Sequence, residues 1–352
     1  MSKKKSFNVA VFGAGAIGLD HIGSFKQHPA AQVLAIADTS ASRASDAAKM
    51  FDVPVVATDF RELLARDDID VVSIALPNYL HATVGLAALK AGKHLMIDKP
   101  MATNARDAAK LVAEAKKRGV LLMVGQNNRF SPDVQTLKQL VLKGVLGEVY
   151  HAKTSWTRRG GIPRIGSWFT QKAFAGGGST YDIGVHALDR CLYLMGEFTA
   201  AAVSGQTYAK FGPRGLGEGT WGKSEVDPKK PFDVEDMSIA LIKLKSGRTI
   251  LLETSWAGHQ PFADFNGTQL FGTEAGALMP NLQLFRKTEH GYSTESVTTT
   301  TTLVNPNRMA HFIDCLLGKE EAYVKPSESL AVQKILDAIY LSSKTGREVR
   351  IK

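Results

Sequence analysis

Three side chains in this 352-residue sequence have the chemistry and setting needed for acid–base work at an oxygen: Lys99, Asp182 and His186. Lys99 stands in Asp98-Lys99-Pro100, at the end of an apolar run from His94 to Asp98 that reads as a strand. Open parallel sheets collect their ligands at the carboxyl ends of strands, and an ammonium group there steadies negative charge developing on a substrate oxygen. A plain surface lysine ahead of a helix fits the same position. Asp182 and His186 are four residues apart, which puts them on one helix face. An imidazole titrates near neutrality, so beside a carboxylate it can accept the proton of an alcohol. An isolated pair of this kind is more often only a helix-face hydrogen bond. A zinc site would need a third ligand, and no further His or Cys stands at metal-ligand spacing, so no metal is expected. Gly176-Gly177-Gly178, just upstream, lets backbone or ligand come close.

A second constellation precedes these. Gly13-Ala14-Gly15-Ala16-Ile17-Gly18 follows an apolar strand (Phe7 to Phe12) and opens a predicted helix, Ile17 to Gln27. It precedes another strand, Gln32 to Ala37, that ends at Asp38. That context turns a weak G-x-G-x-x-G match into a dinucleotide fingerprint. Gly13 allows the turn, Gly15 lets a pyrophosphate approach, and Gly18 lets helix and strand pack. The helix start at Ala16 and Ile17 offers amides to the phosphates. Asp38 is placed to take the adenine ribose hydroxyls and to repel a 2′-phosphate, favouring NAD. Arg43 partly offsets that repulsion and leaves NADP possible. Asp38 as a mere N-cap of the next helix is the plainer alternative.

The elements carrying these residues alternate. After Asp38 come a short helix near Phe60 to Ala65, a strand from Val71 to Leu76 and a helix from about Ala82 to Ala91. The strand at His94 to Asp98 follows, then a helix with Thr103 as its expected N-cap and Gly119 beyond its end, and a strand from Val120 to Val124. Continuous apolar strands between helices predict a doubly wound parallel sheet. Beyond Asn127-Asn128-Arg129-Phe130 the pattern changes to a helix from Pro132 to Lys143, a long strand from Glu148 to Thr157 and an irregular loop from Arg158 to Gly178. A helix from Gly178 to Met195 precedes alternating strands, with Met237 to Leu244 and Thr249 to Trp256 as a hairpin. Thr298 to Thr302 suit a strand with a wet face, and Leu330 to Ser343 a late helix. The expected architecture is α/β: an N-terminal Rossmann domain, residues 1–127, and a C-terminal α+β domain with a large open, mostly antiparallel sheet, residues 128–352.

Composition excludes several classes. Hydrophobic residues make up 44% and charged residues 22%, as in globular chains. No apolar run is long enough to span a membrane, and the basic start lacks the apolar region of a secretory signal, so a cytoplasmic protein without membrane contact is expected. Cys191 and Cys315 are isolated and read as small buried residues. The net charge of +9 is scattered rather than striped, so no nucleic-acid partner is expected.

These motifs in this order resemble the family of glucose-fructose oxidoreductase and inositol 2-dehydrogenase, the Gfo/Idh/MocA family. The matches are Gly13 to Gly18, Leu76-Pro77-Asn78-Tyr79-Leu80-His81, Asp98-Lys99-Pro100, Gly125-Gln126-Asn127-Asn128-Arg129-Phe130, and Gly176-Gly177-Gly178 leading to Asp182 and His186. The resemblance implies that Lys99 is the catalytic lysine and that Asp182 and His186 handle the proton. It places Leu76, Pro77, Asn78, His81 and Asn127 beside the cofactor. It further implies NAD(P)-dependent hydride transfer with a secondary alcohol of a sugar, sugar derivative or cyclitol, and a homodimer or homotetramer. Asp98 stands where the family usually has Glu, which puts its direct contact with ligand or lysine in question. If that fold holds, Arg158 and Trp168 face the substrate, one hydrogen-bonding hydroxyls and the other stacking on a ring. Trp256 and His259 are weaker candidates, since a strand-end Trp is more often core. Relatives that cleave glycosides by transient oxidation and elimination, or that sense dinucleotides as regulators, are the alternative readings.

Overall fold

The computed structural model describes residues 5–220, 222, 224–300 and 306–351. Their contacts fall into two units, one within 1–126 and 304–330, the other within 127–303 and 331–352.

In the first unit, β1 (Phe7–Phe12), α1 (Ala16–Lys26), β2 (Ala31–Ala37), α2 (Ala41–Phe51), β3 (Val55–Ala57), α3 (Phe60–Leu64), β4 (Val71–Ile74), α4 (Asn78–Lys90), β5 (His94–Ile97), α5 (Ala105–Arg118) and β6 (Leu122–Val124) alternate along the chain. The six strands are all parallel, in the order β3-β2-β1-β4-β5-β6. The order reverses between β1 and β4, which is where such sheets open a ligand crevice. Val71 to Ile74 are buried throughout and β1 is buried except at Asn8, the mark of strands covered on both faces.

Several local expectations shift. Helix α5 is capped by Asn104, whose side chain accepts from Asp107 N, rather than by Thr103. Helix α4 begins at Asn78, a turn before the expected Ala82. Helix α2, held at its start by the Ser40 side chain on Arg43 N, fills the gap after Asp38.

Helix α1 carries His21, fully buried, with Nδ1 2.9 Å from Ser73 Oγ on β4. Burial is the main cause that lowers its pKa to about 4, with Arg308 adding to the effect against Asp98 and Asp20. Between pH 4 and the unfolded value of 6.5 the unfolded chain therefore binds more protons. The stability that neutral His21 contributes is present above pH 6.5 and lost as pH falls towards 4, up to about 3 kcal/mol. Urea midpoints of the native protein should fall between pH 7 and pH 4.5, and His21→Gln should flatten that slope.

The second unit holds α6 (Pro132–Leu142), β7 (Val149–Arg158), α7 (Lys172–Ala175), α8 (Val185–Met195), β8 (Ala200–Tyr208), β9 (Met237–Leu244), β10 (Thr249–Ser255), β11 (Asp264–Gly272), β12 (Gly276–Met279), β13 (Gln283–Thr288) and β14 (Gly291–Ser296). After α9 (Arg308–Leu317) in the first unit come α10 (Pro326–Thr345) and β15 (Val349–Arg350). Nine strands form one open sheet, β14-β13-β12-β11-β7-β10-β9-β8-β15, antiparallel except where β10 runs parallel to β7. The hairpin of β9 and β10 forms as expected. Threonines 298 to 300 lie outside any strand, and Thr301 and Thr302 lie outside the described residues.

Every residue of α8 except Tyr193 is buried. A helix buried all round must satisfy its charges internally. Asp189 accepts from Arg129 at 2.6 and 2.9 Å, both side chains at 1% exposure or less. Arg190 donates to Asn266 Oδ1, Thr268 Oγ1 and Gly267 O. Arg190 thereby fixes the helix on β11, while Asp189 ties it to the short turn at Asn127–Phe130.

The segment after residue 305 packs with the first unit although sequence order places it in the second half. Asn307 Nδ2 donates to Ser24 O, Arg308 Nη2 to Asp20 Oδ2, and His28 Nε2 lies 3.1 Å from Asp314 Oδ1.

Candidate active site

The fingerprint glycines do three separate jobs. Gly13 has φ +99, and a Cβ on it would lie 2.3 Å from Ala75 O. A Cβ on Gly18 would lie 1.8 Å from Gly13 O, so helix and turn touch backbone to backbone. Gly15 has an ordinary φ of −76, and a Cβ there would meet no protein atom within 4 Å. Its bareness serves nothing inside the chain; it clears an approach from outside. As N-cap of α1, Gly15 offers no side-chain acceptor to the first-turn amides, which leaves Ala16 and Ile17 at a helix start suited to an anion. Ile17 is 48% exposed beside them.

Asp38 reaches across this turn. Its Oδ2 accepts from Ala14 N at 2.9 Å and its Oδ1 from Ser40 N at 2.8 Å. Arg43 Nη2 sits 3.0 Å from Oδ1, its side chain half exposed. Burial works against the carboxylate charge, but the two amides and the guanidinium outweigh it and hold the pKa below the usual carboxylate value. The N-cap of α2 is Ser40, so Asp38 has no capping duty of its own.

On the other side of the strand-order reversal, Leu76 and Pro77 lead into α4, and Asn78 is buried at its start. His81 is buried with Nδ1 2.7 Å from Pro100 O and Nε2 2.8 Å from Leu76 O, which ties the loop after β4 to the loop after β5. Burial is the largest influence on its pKa and lowers it. Lys99 lies between these anchored points, partly exposed. The Asp98 carboxylate is turned towards Gly125: a Cβ there would be 2.8 Å from Asp98 Oδ1 and 3.6 Å from Arg308 Nε. Asn127, exposed, opens the second unit.

In the second unit Asp182 and His186 are both buried, at 8% and 7% exposure. The helix that carries them is not uniform. Thr180–Gly184 is a π-helical turn, and α8 begins only at Val185. Trp256 Nε1 donates to Asp182 Oδ2 at 2.8 Å. Trp156 stands 5.7 Å from the His186 ring, centroid to centroid. Arg158 lies 4.9 Å over Trp156, and Asp264 accepts from both, from Trp156 Nε1 at 2.9 Å and Arg158 Nε at 3.0 Å.

The structure thus brings Asp182, His186 and Arg158 into one cluster with Trp156, Trp256 and Asp264. Trp168 has its ring stacked on Phe169 at 3.8 Å, and exposed His259 packs edge-on against Phe211. Trp256 is core, at 0% exposure, and also a partner of Asp182. Trp156 escaped the sequence reading, yet alternation marks it: Ala152, Thr154, Trp156 and Arg158 share one face of β7, and Thr154 Oγ1 already donates to Ala187 O on α8. Among the described residues no cluster of metal-ligating side chains forms. Neither thiol is activated: burial pushes Cys191 and Cys315 up to about 12.

A doubly wound sheet with a glycine turn, an uncapped helix start and an acidic residue ending β2 defines a dinucleotide-binding protein, here followed by an open-sheet domain with a buried carboxylate–imidazole pair. The family models of an NAD-binding Rossmann oxidoreductase and of the GFO/IDH/MocA C-terminal domain match residues 7–126 and 134–278. The chain belongs to the Gfo/Idh/MocA oxidoreductase family, and NAD is its cofactor. It is 30% identical to D-glucoside 3-dehydrogenase of Escherichia coli over 97% of both chains. It is 30% identical to levoglucosan dehydrogenase of Pseudarthrobacter phenanthrenivorans over 72% of this chain and 69% of that one. A solved levoglucosan dehydrogenase in complex with NADH shares the fold, with TM-score 0.85 over 99% of both chains at 22% identity.

Proposed function

We propose that this protein is an NAD-dependent dehydrogenase that oxidises a secondary ring hydroxyl of a sugar, sugar derivative or cyclitol. The observation that carries the reading is the buried Asp182–His186 pair, set beside Trp156 and Arg158 in the open-sheet unit. An aromatic face with a guanidinium beside it suits a polyhydroxylated ring, which offers C–H groups to one and hydroxyls to the other.

Bound NAD supplies the hydride acceptor. Gly15, Ala16 and Ile17 receive its pyrophosphate, Asp38 its adenine ribose, and Leu76, Pro77, Asn78, His81 and Asn127 flank the rest. His186 accepts the hydroxyl proton, and Asp182 orients the hydroxyl and passes the proton on. Lys99 Nζ stabilises the negative charge that grows on the oxygen as the hydride leaves. The same groups run the reduction in reverse.

We further place the protein in the cytoplasm, where nicotinamide dinucleotides circulate, as a homo-oligomer built on its open sheet. Leu241 and Leu251 face each other across β9 and β10 at 39% and 41% exposure, with Ile239 at 38% beside them. This apolar strip, flanked on the same face by exposed Lys243 and Glu253, is expected to be covered by a second copy. Light scattering of the purified protein reads this directly, and Leu241→Glu with Leu251→Glu should yield monomers.

One screen tests the activity: NADH formation with NAD or NADP across monosaccharides, anhydrosugars, glycosides and inositols. Reduction of NAD by at least one of them supports the reading. Glycoside cleavage without net NADH, or silence across the panel, overturns it.

A further inference from the structure

The Asp182–His186 pair sits on an irregular piece of helix, and residues from elsewhere in the chain hold that irregularity. π-Turns are rare because they widen the helix ring, and they persist where outside contacts stabilise them. Here three consecutive amides leading into the turn are taken by one residue. Gly178 N donates to Glu235 Oε2 at 3.0 Å, Thr180 N to Glu235 Oε1 at 2.9 Å, and Ser179 N to the Glu235 carbonyl at 3.3 Å. Glu235 is 5% exposed. A Cβ on Gly178 would lie 1.8 Å from Glu235 O and 3.1 Å from the Trp256 ring, so only glycine permits this approach. The next residue, Asp236, accepts from Trp256 N at 2.8 Å, and the Trp256 indole donates to Asp182. One short stretch, Glu235-Asp236, therefore holds both the turn that bears Asp182 and the indole that grips its carboxylate.

A buried indole N–H needs an acceptor, and here that acceptor is the Asp182 carboxylate itself. A carboxylate only 8% exposed needs donors in turn, and an N–H from a rigid, fully buried ring fixes its orientation more firmly than water would. We infer that Trp256 and Glu235 are positioning residues for catalysis: the indole N–H fixes Asp182 Oδ2, and Glu235 fixes the π-turn that carries it. The inference rests on the proton-handling role proposed for Asp182 and His186. The device should act on turnover rather than on cofactor affinity, since the hydrogen bonds that build it, from Gly178, Thr180 and Trp256, lie within the second unit.

Trp256→Phe keeps a ring in the core and removes the N–H donor. With the best substrate from the screen, kcat should fall roughly tenfold to a hundredfold, the worth of one hydrogen bond to a charged group, while KM for NAD stays within twofold. Incorporating benzothienylalanine at 256, which exchanges only N–H for sulfur, should give the same drop and keeps the measurement open if the Phe variant folds poorly. In an Asp182→Asn background the same change should cost little more, because the indole acts through that carboxylate. Wild-type kcat in the benzothienyl protein, or a full additive loss in the double variant, overturns the inference. A native enzyme that oxidises nothing in the screen, or unimpaired turnover in His186→Ala, instead refutes the reading beneath it.

Discussion

If the proposed roles hold, His186→Ala should lower kcat for sugar oxidation by roughly 10²- to 10⁴-fold, the range expected for loss of a general base, and Lys99→Ala should do so by roughly 10²- to 10³-fold. In both variants the dissociation constant for NADH, read by fluorescence titration, stays within about threefold of the native value. The two halves of this expectation come from different parts of the chain. The phosphate and ribose contacts proposed for Gly15 to Gly18 and Asp38 are built from backbone and from a carboxylate fixed by Ala14 N, and neither variant touches them. His186 is buried on a helix anchored by Asp189 and Arg190, so its truncation should remove the proposed base without loosening the helix. Lys99 follows β5 between residues tied by His81, and its removal leaves that bridge in place. Retained turnover in both variants would refute the assignment. Loss of NADH binding together with turnover would show that the residues support the cofactor site instead.

What the sequence made legible was what short-range chemistry decides. The glycine turn, its strand and helix, and Asp38 were readable because the motif lies within one β-α-β unit, although the backbone that crowds Gly13 belongs to Ala75, beyond that unit. The Asn104 cap was missed by one residue because Thr103 and Asn104 are both capping types. The choice falls to the residue with extended backbone, φ −164 and ψ 159, and an amide three residues on. Helix α2 left little signal, since ASRASDAAKMF buries only alanines. The π-turn was beyond reach, because the carboxylate that holds it lies 57 residues along the chain from Gly178. Trp156 and Asp264 are likewise joined only by the register of β7 with β11, which pairs Arg158 with Asp264 and Trp156 with Asn266. Arg158 was visible as a type; its partners required the sheet.

The cofactor preference should be reversible at a single position. Asp38→Ser is expected to raise KM for NAD by roughly tenfold to a hundredfold, since one charge-assisted contact to the ribose is worth about 1.5–3 kcal/mol, and to raise kcat/KM for NADP. Two effects act together. In the proposed site the carboxylate presents a negative charge where a 2′-phosphate would lie, and that like-charge repulsion would disappear with the side chain. The same carboxylate engages the Arg43 guanidinium at 3.0 Å; without it that half-exposed group loses this partner, and guanidinium binds phosphate in a bidentate fork. The two contributions separate experimentally. Asp38→Ser with Arg43→Ala should keep the loss of NAD affinity but forfeit most of the NADP gain, whereas Arg43→Ala alone should alter NAD kinetics little. If Asp38→Ser raised KM for both cofactors alike, the main duty of Asp38 would be to hold Ala14 N and the glycine turn, and the choice of NAD would have to be encoded elsewhere.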